Sequence, residues 1–329
     1  MEAPRFHDES LMPLTLGSPY RVADYAYPNW GIEYSGEDKA LASYKAEWAF
    51  GDQSQMAQIE EASKRAGLGN YPQELRRAAA MAVHDIIARR HEVGDSRVFL
   101  EIGSGPGLSA LEVYQYLPAD ARDRSTLWLL DPSSKSLDAA DALMQRNGVK
   151  RHELFEGTDS ETLPLLRESS VNIITAVASV HHHARIPFEE YFRVLKPGGF
   201  AVFADWHQPL WEHPGSVLRF LEAFNEEEWP NRKEGLNHWR EVYPQALNVP
   251  LLSINSADIT AVKQIINFWK AYTAIVHSEG VRNELWPLEG HRMVQEYVWA
   301  MKEAGFKVRP PVPIWPYTSL LQVTVGQKV

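Results

Sequence analysis

The stretch RVFLEIGSGPG, residues 97–107, decides how the chain is read. Val98, Phe99, Leu100 and Ile102 form an apolar run that is too short for a helix and is stopped by glycine, which predicts a buried strand. The following LSALEVYQYL has the pattern of a helix. Strand, glycine-rich turn and helix make a nucleotide site, because N–H groups at the helix N-terminus face the ligand and the absent side chains let it come close. Glu101, just before the first glycine, can accept hydrogen bonds from a ribose or draw in a cation. A pyrophosphate would be repelled there.

Downstream, strands alternate with helices. TLWLLD (126–131) precedes a helix from about Ser134 to Arg146, HELFEG (152–157) leads to a short helix SETLPLLRE, and VNIITAVASV (171–180) precedes a helix opened by Pro187. LKPGG then turns into FAVFAD (200–205). Upstream, YPQELRRAAAMAVHDIIARR repeats Leu75, Ala79, Val83 and Ile86 at helical spacing. Near the C-terminus, HRMVQEYVWAMKEAGF carries the stripe Val294, Tyr297, Val298 and Met301, and two strands follow around 307–314 and 318–325. Such alternation predicts an α/β fold with a mostly parallel sheet covered on both faces.

Two segments stand outside this rhythm. Residues 1–94 form an N-terminal helical and aromatic arm, with Tyr20, Tyr25, Tyr27, Trp30, Tyr34, Tyr44, Trp48 and Phe50 read as packing it onto the main domain. Residues 207–290 read as a helical insertion; with Trp206 at its threshold it brings together Trp211, Trp229, Trp239, Trp269 and Trp286. Those rings suit an apolar substrate pocket, ordinary core packing or a homodimer face. The core is then residues 95–206, completed by 291–329.

Composition narrows the chemistry. The chain has 329 residues, no cysteine and a net charge of −10. Disulfides, thiolate zinc sites and thiol nucleophiles are excluded, and no metal is expected. No Lys/Arg block is present, so no nucleic-acid partner is expected. No apolar run approaches a membrane span and the first residues do not read as a secretion signal, so the expected location is cytoplasmic, without a membrane partner.

Asp131, at the end of the second strand, is placed to accept ribose hydroxyls. The glycine spacing argues against a dinucleotide: GxGxxG would need glycine at position 108, which is Leu108, and the third glycine comes at Gly107 instead.

Taken in order, EIGSGPG, LLDPS, EGTD, a fourth strand ending ASVHH, RVLKPGGFAVFAD and KEAGF resemble the class I S-adenosylmethionine-dependent methyltransferases, in particular the small-molecule branch similar to the ubiquinone/menaquinone-biosynthesis enzymes. The resemblance covers 97–205 well, 293–325 moderately, and neither the arm nor the insertion. It implies a Rossmann-like, doubly wound seven-stranded sheet with an antiparallel last strand, an N-terminal helical arm and a helical cap insertion. It also implies S-adenosylmethionine (SAM) as cofactor. Gly103, Ser104, Gly105 and Gly107 would lie under its methionine part, with Glu101 beside them. Asp131 would hold the ribose, with Pro132 and Ser133 near the adenine. Thr158 and Asp159 match the position that meets the adenine amine, and Ala178 and Ser179 would line the methyl side.

His181, His182 and His183 follow the fourth strand, and His207 follows the fifth. A histidine there can take a proton from an attacking hydroxyl or carbon acid. His181, His182 and His207 are the candidate catalytic residues, against a structural role for the triplet. The expected reaction is methyl transfer to oxygen, carbon or nitrogen of a small, aromatic or apolar metabolite. A protein or RNA methyltransferase, or a nucleoside-binding protein that does not methylate, are the alternatives.

Overall fold

The computed structural model describes residues 53–89, 97–180, 186–206, 264, 294–314 and 321–329. The aromatic residues Tyr20 to Phe50 and the tryptophans Trp211 to Trp286 lie outside the described residues.

Two helices, α1 (Gln53–Arg65) and α2 (Tyr71–Ala88), precede the sheet. The chain then runs β1 (Arg97–Ile102), α3 (Leu108–Tyr116), α4 (Ala119–Arg122), β2 (Ser125–Asp131), α5 (Ser134–Arg146), β3 (His152–Glu156) and the single turn α6 (Asp159–Thr162). It continues through β4 (Val171–Val177), α7 (Phe188–Val194), β5 (Leu195–Trp206), α8 (Val294–Glu303), β6 (Phe306–Val308), β7 (Val312–Pro313) and β8 (Leu321–Lys328). The sheet order is β3-β2-β1-β4-β5-β8-β6, with the two-residue β7 appended to β8. Strands β1 to β5 pair in parallel. β8 runs antiparallel to both β5 and β6. The expected seven-strand path with its antiparallel last strand is therefore present, and β7 is an addition to it.

Alternation along each strand builds two cores. Phe99, Leu127, Leu129, Ile173, Val202 and Ala204 face one side, where Leu75, Ala79 and Val83 of α2 are buried as their helical spacing predicts. Leu100, Leu130, Ile174, Ala176, Ala201 and Phe203 face the other. There Phe203 packs edge-on to Phe188 at 5.4 Å and stacks with Tyr191 at 5.8 Å and Tyr297 at 6.4 Å between ring centroids. Arg76 of α2, only 14% exposed, reaches Glu60 of α1 at 3.8 Å and Glu112 of α3 at 3.5 Å, which fastens the arm's helices to the helix after the glycine loop.

Local expectations fail where prolines and neighbouring strands intervene. The strand expected over 171–180 ends at Val177, because Ala178 turns to a φ of +49°. The expected helix SETLPLLRE is one α-turn followed by a 3-10 turn, Leu163–Leu165, since Pro164 brings no N–H to continue it. The strand around 307–314 is two pieces, β6 and β7, parted at Pro310 and Pro311. β5 begins five residues early, at Leu195, and its register on β4 jumps between Val171 and Ile173.

Phe203 is 1% exposed at the centre of three aromatic contacts. Phe203→Ala is expected to cost about 3–5 kcal/mol of folding stability. Urea denaturation of the two proteins measures it, and a loss under about 1 kcal/mol would show that the ring cluster does not hold this face.

Candidate functional site

Because β1 to β5 are parallel, their carboxyl ends share one edge of the sheet. The chain leaves β1 towards β2 and β3, then returns to place β4 and β5 on the other side of β1. The crevice at such a reversal is where open α/β sheets bind ligands.

The glycine loop starts this edge. Gly103, Gly105 and Gly107 have φ of +61°, +50° and +80°, a region that side chains disfavour. The outer two are packed: a Cβ on Gly103 would sit 2.5 Å from the Ser179 Cβ, and one on Gly107 2.9 Å from the Met144 methyl. The middle one is different. Among the described residues, a Cβ on Gly105 would meet no atom within 4 Å, so the loop is open to them there.

Asp131 ties this loop to the second strand. Its Oδ2 accepts the Gly105 N–H at 2.9 Å and its Oδ1 accepts the Ser133 N–H at 2.9 Å. Ser104 N donates to Leu130 O at 2.9 Å and Gly157 N to Asp131 O at 3.1 Å, so the ends of β1, β2 and β3 are laced together by backbone. Asp131 is 1% exposed, and burial pushes its carboxyl up to about 6 despite the two N–H bonds, which act to lower it. Pro132 is half-buried, and Ser133 caps α5, its hydroxyl accepting Ser136 N at 3.3 Å.

Glu101 is almost as cut off from water as Asp131. It is 2% exposed, its Oε2 accepts the Thr175 hydroxyl of β4, and its Oε1 has no partner. Burial pushes it up to about 7, against hydrogen bonds from Thr175 and Ser109 that lower it. The Ser104 hydroxyl, also buried, has no partner either. Two orphaned polar atoms thus belong to the glycine loop and the strand that leads into it, and a buried polar group without a partner is unfavourable until a ligand supplies one.

The remaining expected residues lie along the same edge. Thr158 caps α6 in a capping box: its hydroxyl accepts Glu161 N at 3.2 Å, and Glu161 Oε2 accepts Thr158 N at 2.9 Å. Asp159 is 3% exposed, accepts Ser160 N at 2.8 Å, and takes a hydrogen bond from the Tyr191 hydroxyl of α7. Ala178 holds its left-handed φ while donating N–H to Ala204 O at 2.9 Å, and Ser179 donates its hydroxyl to Ile102 O at 2.8 Å beneath Gly103. Strained backbone of this kind concentrates at functional sites. His181, His182, His183 and His207 lie outside the described residues. Among the described residues, no group of three or more His, Cys, Asp or Glu is placed to hold a metal ion.

Thr175, Ser109, Tyr191 and the buried Asp205 at the end of β5 are absent from the sequence expectations. A faint signal existed for Thr175, a lone hydroxyl within the apolar run VNIITAV, and the β1–β4 register sets it beside Glu101.

Residues 99–199 match a protein-family model described as a methyltransferase domain. No curated protein matches the chain. Among solved structures, a SAM-dependent methyltransferase from Aquifex aeolicus is similar at 12% identity, covering 78% of this chain and 98% of its own, with a TM-score of 0.41. A putative SAM-dependent methyltransferase from Listeria monocytogenes is 13% identical, with 77% and 99% covered and a TM-score of 0.42. The CurJ carbon methyltransferase is 14% identical, with 76% and 54% covered and a TM-score of 0.45. Likenesses this remote carry no argument of their own, and the weight rests on the family match. With the observed Rossmann-like strand order, the methyltransferase-domain match over residues 99–199 supports an enzyme whose cofactor is S-adenosylmethionine.

Proposed function

We propose that the chain transfers the methyl group of SAM to an oxygen, carbon or nitrogen of a small, aromatic or apolar metabolite, in the manner of the small-molecule branch. The observation that carries the cofactor site is the partnerless, buried Oε1 of Glu101, on the strand that leads into the loop with the open Gly105. A methionine ammonium is a cation that such an oxygen would accept, and the space at Gly105 admits a ligand that a side chain would exclude.

In this reading Gly103, Ser104, Gly105 and Gly107 cradle the methionine part and Glu101 meets its ammonium. Asp131 takes the ribose hydroxyls, Pro132 and Ser133 flank the adenine, and Thr158 and Asp159 meet its amine. Ala178 and Ser179 border the methyl side. When bound, SAM supplies an electrophilic methyl group, so the protein's main tasks are to align the acceptor and exclude water. One of His181, His182 and His207 takes the acceptor's proton, because β4 and β5, which they follow, both end on this edge. Residues 207–290 form the cap that gives the substrate its apolar surroundings, over a core of 95–206 and 291–329, with 1–94 as the arm. The net charge of −10 and the absence of a basic stripe support a small substrate over RNA. A cytoplasmic homodimer is consistent with this reading.

Asp131→Ala is expected to weaken S-adenosylhomocysteine binding at least tenfold while keeping the far-ultraviolet circular dichroism of the native protein; unchanged calorimetric affinity would remove Asp131 from the site. His182→Ala or His181→Ala should lower turnover far more than cofactor affinity, and equal turnover in both variants would leave the triplet structural. A third expectation concerns stability without cofactor. Glu101 ordinarily titrates near 4.5 but near 7 when folded, so its contribution is present in full below about pH 4.5 and is lost as pH rises through 7. The loss is on the order of 3 kcal/mol. Glu101→Gln should therefore be more stable than the native chain at pH 8 and lose that advantage at pH 5. Thermal melts at the two pH values measure the difference, and a gap independent of pH would contradict it.

A further inference from the structure

Glu101 cannot do its work alone, because a carboxylate sunk among Phe99, Ile173 and Val177 needs something to fix which oxygen faces the ligand and to keep it ionised. Two hydroxyls from different elements are in place. Thr175 lies directly across from Glu101 in the β1–β4 register and donates to Oε2. Ser109, buried in the first turn of α3, is the second hydroxyl that acts on this carboxyl, in the direction that favours its charged form. With Oε2 engaged by Thr175, Oε1 is the atom left without a partner. Thr175 and Ser109 are themselves 2% and 7% exposed, so water does not substitute for them.

We propose that Thr175 and Ser109 are positioning residues, which hold the Glu101 carboxylate with Oε1 turned to the ammonium of the cofactor and favour its charged form. The inference rests on the reading of Glu101 as the partner of that ammonium. Neither hydroxyl touches the cofactor; each acts through Glu101. The charged and titratable groups on the elements packed around Glu101 are few. β2 brings Asp131, whose oxygens are engaged by Gly105 and Ser133. α3 brings Glu112, Tyr114 and Tyr116, and α2 brings Tyr71, Glu74, Arg76, Arg77, His84 and Asp85, with Arg76 and Glu112 paired to each other. None of them contributes to the upward displacement of Glu101, which burial causes and the two hydroxyls oppose.

The direction of the effect follows. Cofactor affinity should rise with pH as Glu101 ionises near 7, above a lower step from Asp131 near 6. Loss of the Thr175 hydroxyl removes a bond that favours the charged form, so the upper midpoint should move to higher pH.

The test is calorimetric titration of the whole chain with S-adenosylhomocysteine between pH 5.5 and 8.5, together with cofactor-free thermal melts over the same range. Thr175→Val keeps the β-branched shape without the hydroxyl. It should move the upper midpoint by about one to two pH units and weaken binding at pH 7 roughly five- to fiftyfold, given the usual strength of a hydrogen bond to a charged group. Thr175→Ser should restore the native profile, which a packing role alone would not do. Ser109→Ala should shift the midpoint in the same direction, and it serves if Thr175→Val does not fold. Glu101→Gln should abolish the upper step and keep the lower one. If Thr175→Val and Ser109→Ala share the native midpoint while Glu101→Gln weakens binding, the positioning role is overturned and Glu101 keeps its place in the site. If Glu101→Gln binds as the native chain does, the cofactor reading of Glu101 fails first.

Discussion

Much of the site depends on one carboxylate with two backbone donors. Asp131 accepts an N–H from the loop after β1 and another from the start of α5, so one side chain fixes the spacing between the first two strand ends. The glycines answer to the same constraint. A loop that presents the Gly105 N–H to its neighbour must curl through positive φ at Gly103, Gly105 and Gly107, and a side chain at either outer position would strike Ser179 or Met144. Sequence, loop shape and strand spacing are thus three views of one hydrogen-bonded corner.

Energetically this corner is the reverse of a stabilising core. Glu101 and Asp131 are both nearly water-free, and in both burial outweighs the hydrogen bonds that favour the charge. The fold tolerates this because the two hydrophobic layers, above all the cluster around Phe203 and the buried face of α2, extend along the whole sheet. Stability is supplied by the sheet faces and spent at the strand ends, as expected where a site is organised before its ligand arrives.

The fold was legible to the extent that local periodicity carried it. The bounds of α5, Ser134–Arg146, are those expected from the chain, with Asn147-Gly148 as a local stop. The strand order could be expected from the motif set, and the parallel ladder agrees with it. What escaped was decided by neighbours: Ala178 leaves β4 to donate to Ala204, and β5 reaches back to Leu195 to meet Val171. In the site, Glu101, the three glycines and Asp131 announce themselves through a glycine-rich turn. Thr175, Ser109 and Tyr191 do not, because a hydroxyl on a strand or helix has no pattern of its own and gains meaning only from the lateral register. The histidine candidates and, apart from Gln264, the 207–290 insertion fall outside the described residues.

The position of β8 bears on how the protein is made. It lies inside the sheet, between β5 and β6, yet follows β5 by about 115 residues of chain. During synthesis the first five strands and their helices emerge well before their antiparallel neighbour, and at ribosomal speeds the interval is on the order of 10 s. Throughout it the side of β5 that β8 covers, Phe200 to Trp206, would lack its native partner and present an edge to other strands. A nascent chain in that state offers a template for any passing strand, so a chaperone that shields β5 would protect the yield of this enzyme more than one that assists its helices.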